Sequence, residues 1–460
     1  IPIGFCMAQR SSVITLEYTP TLTHLADRFA HLSGFAYLDS GEQEGSAEIE
    51  LLTALPSLTH RLDGYSGNLA EWMTAIERDL AANSAGHDKI DASGTFTGCI
   101  AVGCLDYDAP AGALMRKSHE ASRSAAGIYH WMLVSHRENQ TTELLIHPNC
   151  PETTRLTVLE ALAGDTNVDP APYSLTAPFT ASISQEDYRE AIKAIQHYIL
   201  AGDCYQVNFA QRFEARLEGD PWSAYRATRS RLAGGFSGFM RPTPDHAILS
   251  LSPERFLKIQ DGLVTTQPIK GTAPRHADAE QDKGLADALL TSEKDRAENI
   301  MITDLLRNDL GQFCEIGSVR VTELCGLHSF GNVHHLVSTI EGQLAPGVTA
   351  GQMLLASSPG GSITGAPKRR AVEIIAELES HARGAYCGSL FVMANVDWLQ
   401  SSIAIRTLEV RDKALHCWGG GGITASSSWE SEHQETLDKV GPIMETLASK
   451  GQCSGSSMPS

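Results

Sequence analysis

Residues 402–410 read Ser-Ile-Ala-Ile-Arg-Thr-Leu-Glu-Val. The alternation through 403–408 has the period of a β-strand, in which successive side chains leave on opposite faces. Arg406 then points to the face opposite Ile405. A buried arginine normally holds a carboxylate bidentately, and an ion pair with one of the protein's own acids is the competing use. Similar short apolar runs, broken by Gly, Ser, Asn and Pro, recur at 12–18, 35–38, 97–105 and 129–135. They predict an antiparallel sheet with few long helices before residue 170. A stretch rich in Pro and Ala, 165–181, reads as a linker. Beyond it, strands at 247–251, 256–259, 318–324 and 402–410 alternate with helical patterns near 280–310, 349–356, 367–379 and 429–447. Ser184 with Asp187 forms a capping pair ahead of Tyr188, Ile192, Ile195 and Ile199, and Gly202 closes that helix.

The chain has 460 residues, enough for two or three domains or one large composite sandwich. Its net charge of −19 opposes general affinity for nucleic acid or an anionic membrane. No apolar run reaches the length of a membrane span, and residues 1–12 lack the apolar core of a secretory signal. Ten cysteines are scattered without a C-x-x-C pair or a Cys/His cluster of zinc spacing. These features imply a cytoplasmic protein with reduced thiols. An anionic substrate would need a local basic site inside a repelling field.

Several segments offer chemistry. Pro268-Ile269-Lys270-Gly271-Thr272 places a lysine in a small loop after the β-like run 262–267. Such a lysine is ordinarily a solvated charge. It becomes a nucleophile only if burial or a cationic neighbour favours its neutral form, since a free lysine has a pKa of about 10.4. Glu254, in the apolar segment 251–256, is a candidate proton donor if its pKa is raised; an ion pair with Arg255 or Arg296 competes. Asp295 and Glu298 share a helix face, as do Glu432, Glu435 and Lys439, and the same helix near residue 300 carries Asp304 and Asp309. Two such carboxylate pairs could converge on a hard cation such as Mg²⁺. The 358–368 run, Ser-Pro-Gly-Gly-Ser-Ile-Thr-Gly-Ala-Pro-Lys, allows close backbone approach to a ligand, with Pro367 in the first turn of a following helix. Gly419 to Gly422 imply a ligand or second backbone alongside. His334 and His335 supply a candidate catalytic imidazole, though a satisfied core histidine is the commoner fate.

Taken in chain order, these segments resemble the chorismate-utilising enzymes, which include anthranilate, isochorismate, salicylate and aminodeoxychorismate synthases. The resemblance spans about 180–447. It rests on Gly202-Asp203-Cys204-Tyr205-Gln206-Val207-Asn208, Ser252-Pro253-Glu254-Arg255-Phe256, the Lys270 loop, Asp295-Arg296-Ala297-Glu298-Asn299 and Leu305-Leu306-Arg307-Asn308-Asp309. His335-Leu336-Val337-Ser338, the 359–368 loop, Ile405-Arg406-Thr407-Leu408 and Gln434-Glu435-Thr436 with Lys439 complete it. Gly103 and Tyr107-Asp108 match more weakly in the first half. The chain departs from the family at Phe391, where relatives carry a glycine, and at 395–400. The resemblance implies an α+β fold, with large antiparallel sheets packed as a sandwich and helices outside. It implies a strand-rich segment at 13–170, a chorismate-binding segment at 182–447 and a disordered tail at 449–460.

Lysine rather than alanine at 270 resembles the branch that aminates chorismate without eliminating pyruvate, in folate-precursor synthesis. In that reading Lys270 attacks C2 while Glu254 protonates the departing C4 hydroxyl, and His335 orients the substrate. Tyr386, Arg406, Lys439, Thr272, Ser362, Gly365, Gly420, Gly421 and Gly422 bind chorismate. Glu298 and Glu435 hold Mg²⁺, with Asp295 and Glu432 in support. No glutamine amidotransferase segment is evident, so ammonia is expected from a separate amidotransferase subunit. Leu38-Asp39-Ser40 resembles one edge of a tryptophan pocket. The alternatives are an isochorismate- or salicylate-type reaction, in which Lys270 activates water, and a non-catalytic scaffold for the amidotransferase.

Overall fold

The computed structural model describes residues 12–39, 49–84, 98–115, 122–164, 170–330 and 333–450. The expectations for Ser40, the extreme N-terminus and 451–460 lie outside them.

Two antiparallel sheets form the molecule's centre. The first has twelve strands. It runs in space from Ser12–Leu16 through Thr141–Ile146, Trp131–His136, Ile49–Thr53, Ala36–Asp39, Ser237–Thr243, His246–Ser250, Thr407–Arg411 and Ala414–Ile423 to Gln206–Gly219. Gly365–Ala366 and Tyr173–Ala181 also pair with Gln206–Gly219. The second sheet has ten strands. It runs from Ile269–Pro274 through Val333–Gln343, Leu263–Thr266, Arg255–Gln260, Trp398–Ile403, Ser389–Asn395, Ile100–Leu105 and Ala125–Tyr129 to Leu58–Arg61, with Arg320–Phe330 beside Val333–Gln343. Both 13–170 and 182–447 give strands to each sheet.

Side-chain alternation explains the layering. Ala36, Val134, Met240 and Ile248 of the first sheet meet Ile100, Val102, Leu390 and Val392 of the second in one buried cluster. Their neighbours face outward. Leu249, Phe239 and Leu408 pack under Trp222 and Tyr225 of the helix Pro221–Leu232 and Ile443 of the helix Trp429–Lys450. On the far side, Ala101, Phe391 and Leu399 pack under Trp72 and Ile76 of Leu69–Ser84 and Met353 of Ala350–Ser357. Each fully buried large aliphatic or Phe side chain contributes about 1.5–3 kcal/mol. Among the described residues, no helix is long and apolar enough to cross a membrane.

The 402–410 stretch is not one strand. Ser402 pairs with Arg255 and Leu390 in the second sheet, whereas Thr407 pairs with Ser250 in the first. The chain changes sheets between them, and Arg406 takes φ +49°, which a strand cannot continue through. The expected strand at 129–135 divides in the same way at His130. The stretch read as a linker contains the strand Tyr173–Ala181. The helical pattern at 280–310 is two helices, Ala279–Thr291 and Glu293–Gly311, because Ser292 caps the second by accepting from the Asp295 amide. The capping box of Ser184 and Asp187 opens the helix Gln185–Leu200 as its spacing predicts.

Phe391 is accommodated by Gly103, its partner across the strand pair. A Cβ at Gly103 would lie 2.5 Å from Phe391 Cζ and 2.8 Å from the Ala125 carbonyl oxygen. Gly103→Ala should therefore destabilise by about 1–3 kcal/mol through overpacking, read as a lower urea midpoint. An unchanged midpoint would mean that these strands separate freely.

Candidate active site

Lys270 lies on a strand, Ile269–Pro274, rather than in a loop. The pairing of that strand is irregular between Ile269, opposite Val337, and Thr272, opposite His335. Gly271 absorbs the irregularity with φ +87°. A Cβ there would come within 2.9 Å of Asp295 Cβ, so only glycine lets the helix Glu293–Gly311 approach. The Lys270 ammonium donates to the Ser362 carbonyl at 3.4 Å. The Ser362 hydroxyl donates to Glu254 Oε1 at 3.1 Å. One serine thus ties the amine and the buried carboxyl together.

Burial dominates the electrostatics of this pair. It raises the Glu254 pKa to about 7, against the opposing pull of the Lys270 charge and of hydrogen bonds from Ser362 and the Ile269 backbone. Burial also lowers the Lys270 pKa. Glu254 opposes that shift, Lys439 reinforces it, and Glu298 and Glu435 oppose it. Lys270 keeps some surface exposure as a residue, yet desolvation of its ammonium outweighs the nearby acids. Burial thus opposes the charged form of both groups, raising the pKa of the acid and lowering that of the amine.

His335 lies across from Thr272, with 2.8 Å between Thr272 Oγ1 and His335 Nδ1. Burial, followed by the Arg406 charge, lowers its pKa to about 4. It is therefore a neutral hydrogen-bonding imidazole near neutral pH. Burial lowers the Arg406 pKa as well. The guanidinium makes no ion pair with a described carboxylate, so the internal salt bridge weighed from sequence does not form among the described residues. This leaves a partly buried cation beside a neutral imidazole, suited to an incoming carboxylate.

The acids sort into two groups. A Cβ at Gly421 would lie 3.2 Å from Glu432 Oε2, 3.5 Å from Glu435 Oε1 and 3.7 Å from Lys439 Nζ. Lys439 bridges Glu435 at 2.7 Å and the Gly420 carbonyl at 2.9 Å. Burial raises the Glu298 pKa, Lys270 and Lys294 pull it down, and Asp295 and Glu435 add to the rise. Glu432 is likewise raised, first by burial, while accepting from Ser427 Oγ at 2.7 Å. At Glu435 the burial penalty is outweighed by Lys439, Lys294 and Lys270, and its pKa falls. Glu298, Glu432 and Glu435 offer oxygen donors only, which fits a hard divalent cation such as Mg²⁺. Asp295 instead accepts from Ser292 Oγ at 2.5 Å at its helix start. Asp309 pairs with Lys368 at 2.7 Å and Asp304 with Arg307 at 2.9 Å.

Other expected residues have structural duties. Gly365 takes φ +144° where a Cβ would sit 2.1 Å from the Gln206 carbonyl oxygen. Pro367 precedes the helix Lys368–Leu378 as its N-cap rather than entering the first turn. A Cβ at Gly419 would meet Thr436 and Val440 at 2.9 Å, at Gly420 the Phe209 carbonyl oxygen at 2.3 Å, and at Gly422 Gln206 Nε2 at 1.9 Å. The glycine run therefore has a neighbouring strand and helix pressed against it. Tyr386 stacks on Trp418, with ring centroids 6.0 Å apart and planes at 5°; no hydrogen bond joins it to Arg406 or Lys439. Leu38 and Asp39 border a small cavity with Phe236, Leu390 and Trp398.

Sequence reasoning missed Lys294, Ser427 and the bond from Ser362 to Glu254. Lys294 is four residues before Glu298, 4.0 Å from it, and helical spacing could have shown it. Ser362 and Glu254 are 108 residues apart, and no local signal links them.

Comparison with known proteins agrees with this architecture. A family model described as chorismate binding enzyme matches residues 35–445. Aminodeoxychorismate synthase component 1 of Klebsiella aerogenes is 47% identical over 325 residues, 71% of this chain and 71% of that protein. The Escherichia coli K12 protein of the same name is 45% identical over 323 residues, 70% of each. Anthranilate synthase component 1 of Pseudomonas putida is 40% identical over 62% of this chain and 57% of its own. The crystal structure of anthranilate synthase component I from Streptococcus pneumoniae TIGR4 superposes with a TM-score of 0.69 at 25% identity, covering 96% of this chain and 94% of that one. The menaquinone-specific isochorismate synthase of Escherichia coli gives 0.74 at 17% identity, covering 95% and 94%, a likeness of fold alone.

Proposed function

The chain belongs to the family of chorismate-binding enzymes, and on that premise we propose that it converts chorismate and ammonia to 4-amino-4-deoxychorismate. Lys270 paired with the buried acid Glu254 through Ser362 is the observation that carries this reading. The neutral Lys270 amine attacks C2 of chorismate. The double bonds shift, and the C4 hydroxyl leaves as water with the Glu254 proton. Ammonia then adds at C4, the double bonds return, and the Lys270 amine is expelled, so the net change is one hydroxyl replaced by one amino group. Arg406 with neutral His335 and Thr272 receives one carboxylate of the dianion. Lys439 and the amides near Gly421 face the other end.

Glu298 and Glu435 would hold Mg²⁺, with Glu432 near them and Asp295 behind. When bound, the ion supplies counter-charge for the substrate's ring carboxylate. The local cations and that ion offset the repulsion expected from a net charge of −19. The relatives named as component 1 favour a second subunit, which we take to be a glutamine amidotransferase delivering ammonia. A tryptophan held near Leu38 and Asp39 is a further proposal, tested by mass spectrometry of the denatured protein.

The water-adding alternative is less supported, because the relatives 43–47% identical over about 70% of the chain are named aminodeoxychorismate synthase component 1. The scaffold alternative conflicts with the presence of Glu254, Lys270, Glu298 and Glu435 together. Incubation with chorismate, Mg²⁺ and ammonium should give a nitrogen-containing product without pyruvate. A nitrogen-free isomer of chorismate would overturn the proposal. Arg406→Gln should raise KM for chorismate by about 30-fold or more, the equivalent of about 2 kcal/mol for a lost charge pair, with a smaller change in kcat. An unchanged KM would remove Arg406 from the carboxylate site.

A further inference from the structure

A second cluster lies where the two sheets join. His130 stands between Ala125–Tyr129 of the ten-stranded sheet and Trp131–His136 of the twelve-stranded one. The His147 amide donates to the His130 carbonyl at 2.7 Å, which fixes the two residues side by side, with ring centroids 5.7 Å apart. Cys99 precedes Ile100–Leu105, its amide donating to Ser84 Oγ at 3.2 Å at the end of Leu69–Ser84. All three residues are buried. One potential ligand atom from each lies within 4.8 Å of the others. The chain segments meeting here are far apart in sequence, so the absence of a zinc-type spacing did not exclude the cluster.

We propose that Cys99, His130 and His147 form a structural site for a thiophilic divalent cation of the zinc class, pinning the corner at which the chain crosses between sheets. One thiolate and two imidazoles are a borderline-soft donor set, unlike the all-oxygen set of Glu298, Glu432 and Glu435. Zinc bonds of about 2.3 Å to sulfur and about 2.0–2.1 Å to nitrogen set tetrahedral ligand atoms roughly 3.3–3.6 Å apart, so binding draws together atoms that now lie within 4.8 Å of one another. Water completes the tetrahedron. Two contacts must give way: the Cys99 thiol donates to the Asn83 carbonyl at 3.6 Å and must release its proton to solvent to ligate as thiolate, and the Asn149 amide donates to His147 Nδ1 at 3.2 Å. Nδ1 cannot ligate while its lone pair is shared. Nε2 can ligate only if its proton moves to Nδ1, which also ends that bond. Metal binding therefore shifts the short segment after His147.

The test uses the full chain, stripped with chelator and supplied with excess Mg²⁺ to occupy the carboxylates. One equivalent of zinc should survive gel filtration and raise the thermal midpoint. Cobalt in its place should give a thiolate-to-metal charge-transfer band, which carboxylate ligation cannot produce. Cys99→Ser should lose the band and the midpoint shift. His130→Gln should weaken zinc affinity by at least about tenfold, the scale on which even outer-shell partners act. Circular dichroism of each metal-free variant checks that the fold is retained. Failure of the wild type to retain zinc would overturn the proposal, as would the same stoichiometry, band and midpoint shift in both variants.

Discussion

Lys270→Ala should abolish formation of 4-amino-4-deoxychorismate, lowering kcat by on the order of 10⁴-fold or more, the scale seen when a nucleophile acting as a unit with its partners is removed. The substitution deletes an amine whose pKa burial has lowered and which lies 3.4 Å from the Ser362 carbonyl. The ions facing chorismate's carboxylates remain, so substrate binding should change far less than turnover. Deleting the amine removes a buried polar group rather than adding one, so loss of the fold is an unexpected outcome. Without the lysine, ammonia can reach chorismate only directly, and a weak anthranilate-type reaction with pyruvate release is the expected remnant. Product analysis by mass spectrometry, with pyruvate assayed separately, distinguishes the two. Full activity in this variant would sink the covalent route.

Glu254→Gln should reduce kcat/KM by about 10²- to 10⁴-fold, the usual range for a positioned general acid, and should alter the pH profile. Glu254 is buried and accepts from Ser362, and burial holds its pKa at about 7. Its protonated, donating form is populated below that value and is lost as the pH rises through it. The wild-type rate should therefore fall on the alkaline side of about pH 7 through loss of this acid. Protonation of Lys270, which burial disfavours, opposes the attack. Gln cannot titrate, so the alkaline limb assigned to Glu254 should vanish with the bulk of the rate. An alkaline limb unchanged in Glu254→Gln would assign it to another group. The magnitude is smaller than for Lys270 because water can protonate a departing hydroxyl slowly.

Local signals in the sequence carried much of the architecture. The Ser184–Asp187 cap and the apolar spacing behind it predict a helix that forms, and the two carboxylate faces at 295–298 and 432–435 follow from helical periodicity. The helix Leu69–Ser84 was readable too, since Leu69, Trp72, Met73, Ile76 and Leu80 recur at helical spacing, but short apolar runs around it suggested strands. Other features depend on distant partners. The alternation through 403–408 is that of a strand, yet nothing local shows that Ser402 and Thr407 join different sheets. Lys270 reads as a loop residue because Pro, Gly and Thr surround it. Its strand exists through residues near 335, more than sixty positions away. Motif resemblance joined Glu254, Lys270 and the 358–368 run in one site, but only the fold revealed that Ser362 bonds to both.

The central claim is that Lys270 itself bonds to the substrate, and mass analysis of enzyme mixed with chorismate while ammonia is withheld tests it most directly. The peptide containing Lys270 should gain the mass of chorismate less one water, because the amine replaces the C4 hydroxyl across the ring system. Consumption of chorismate with Lys270 left unmodified, or an adduct on a different residue, would contradict it.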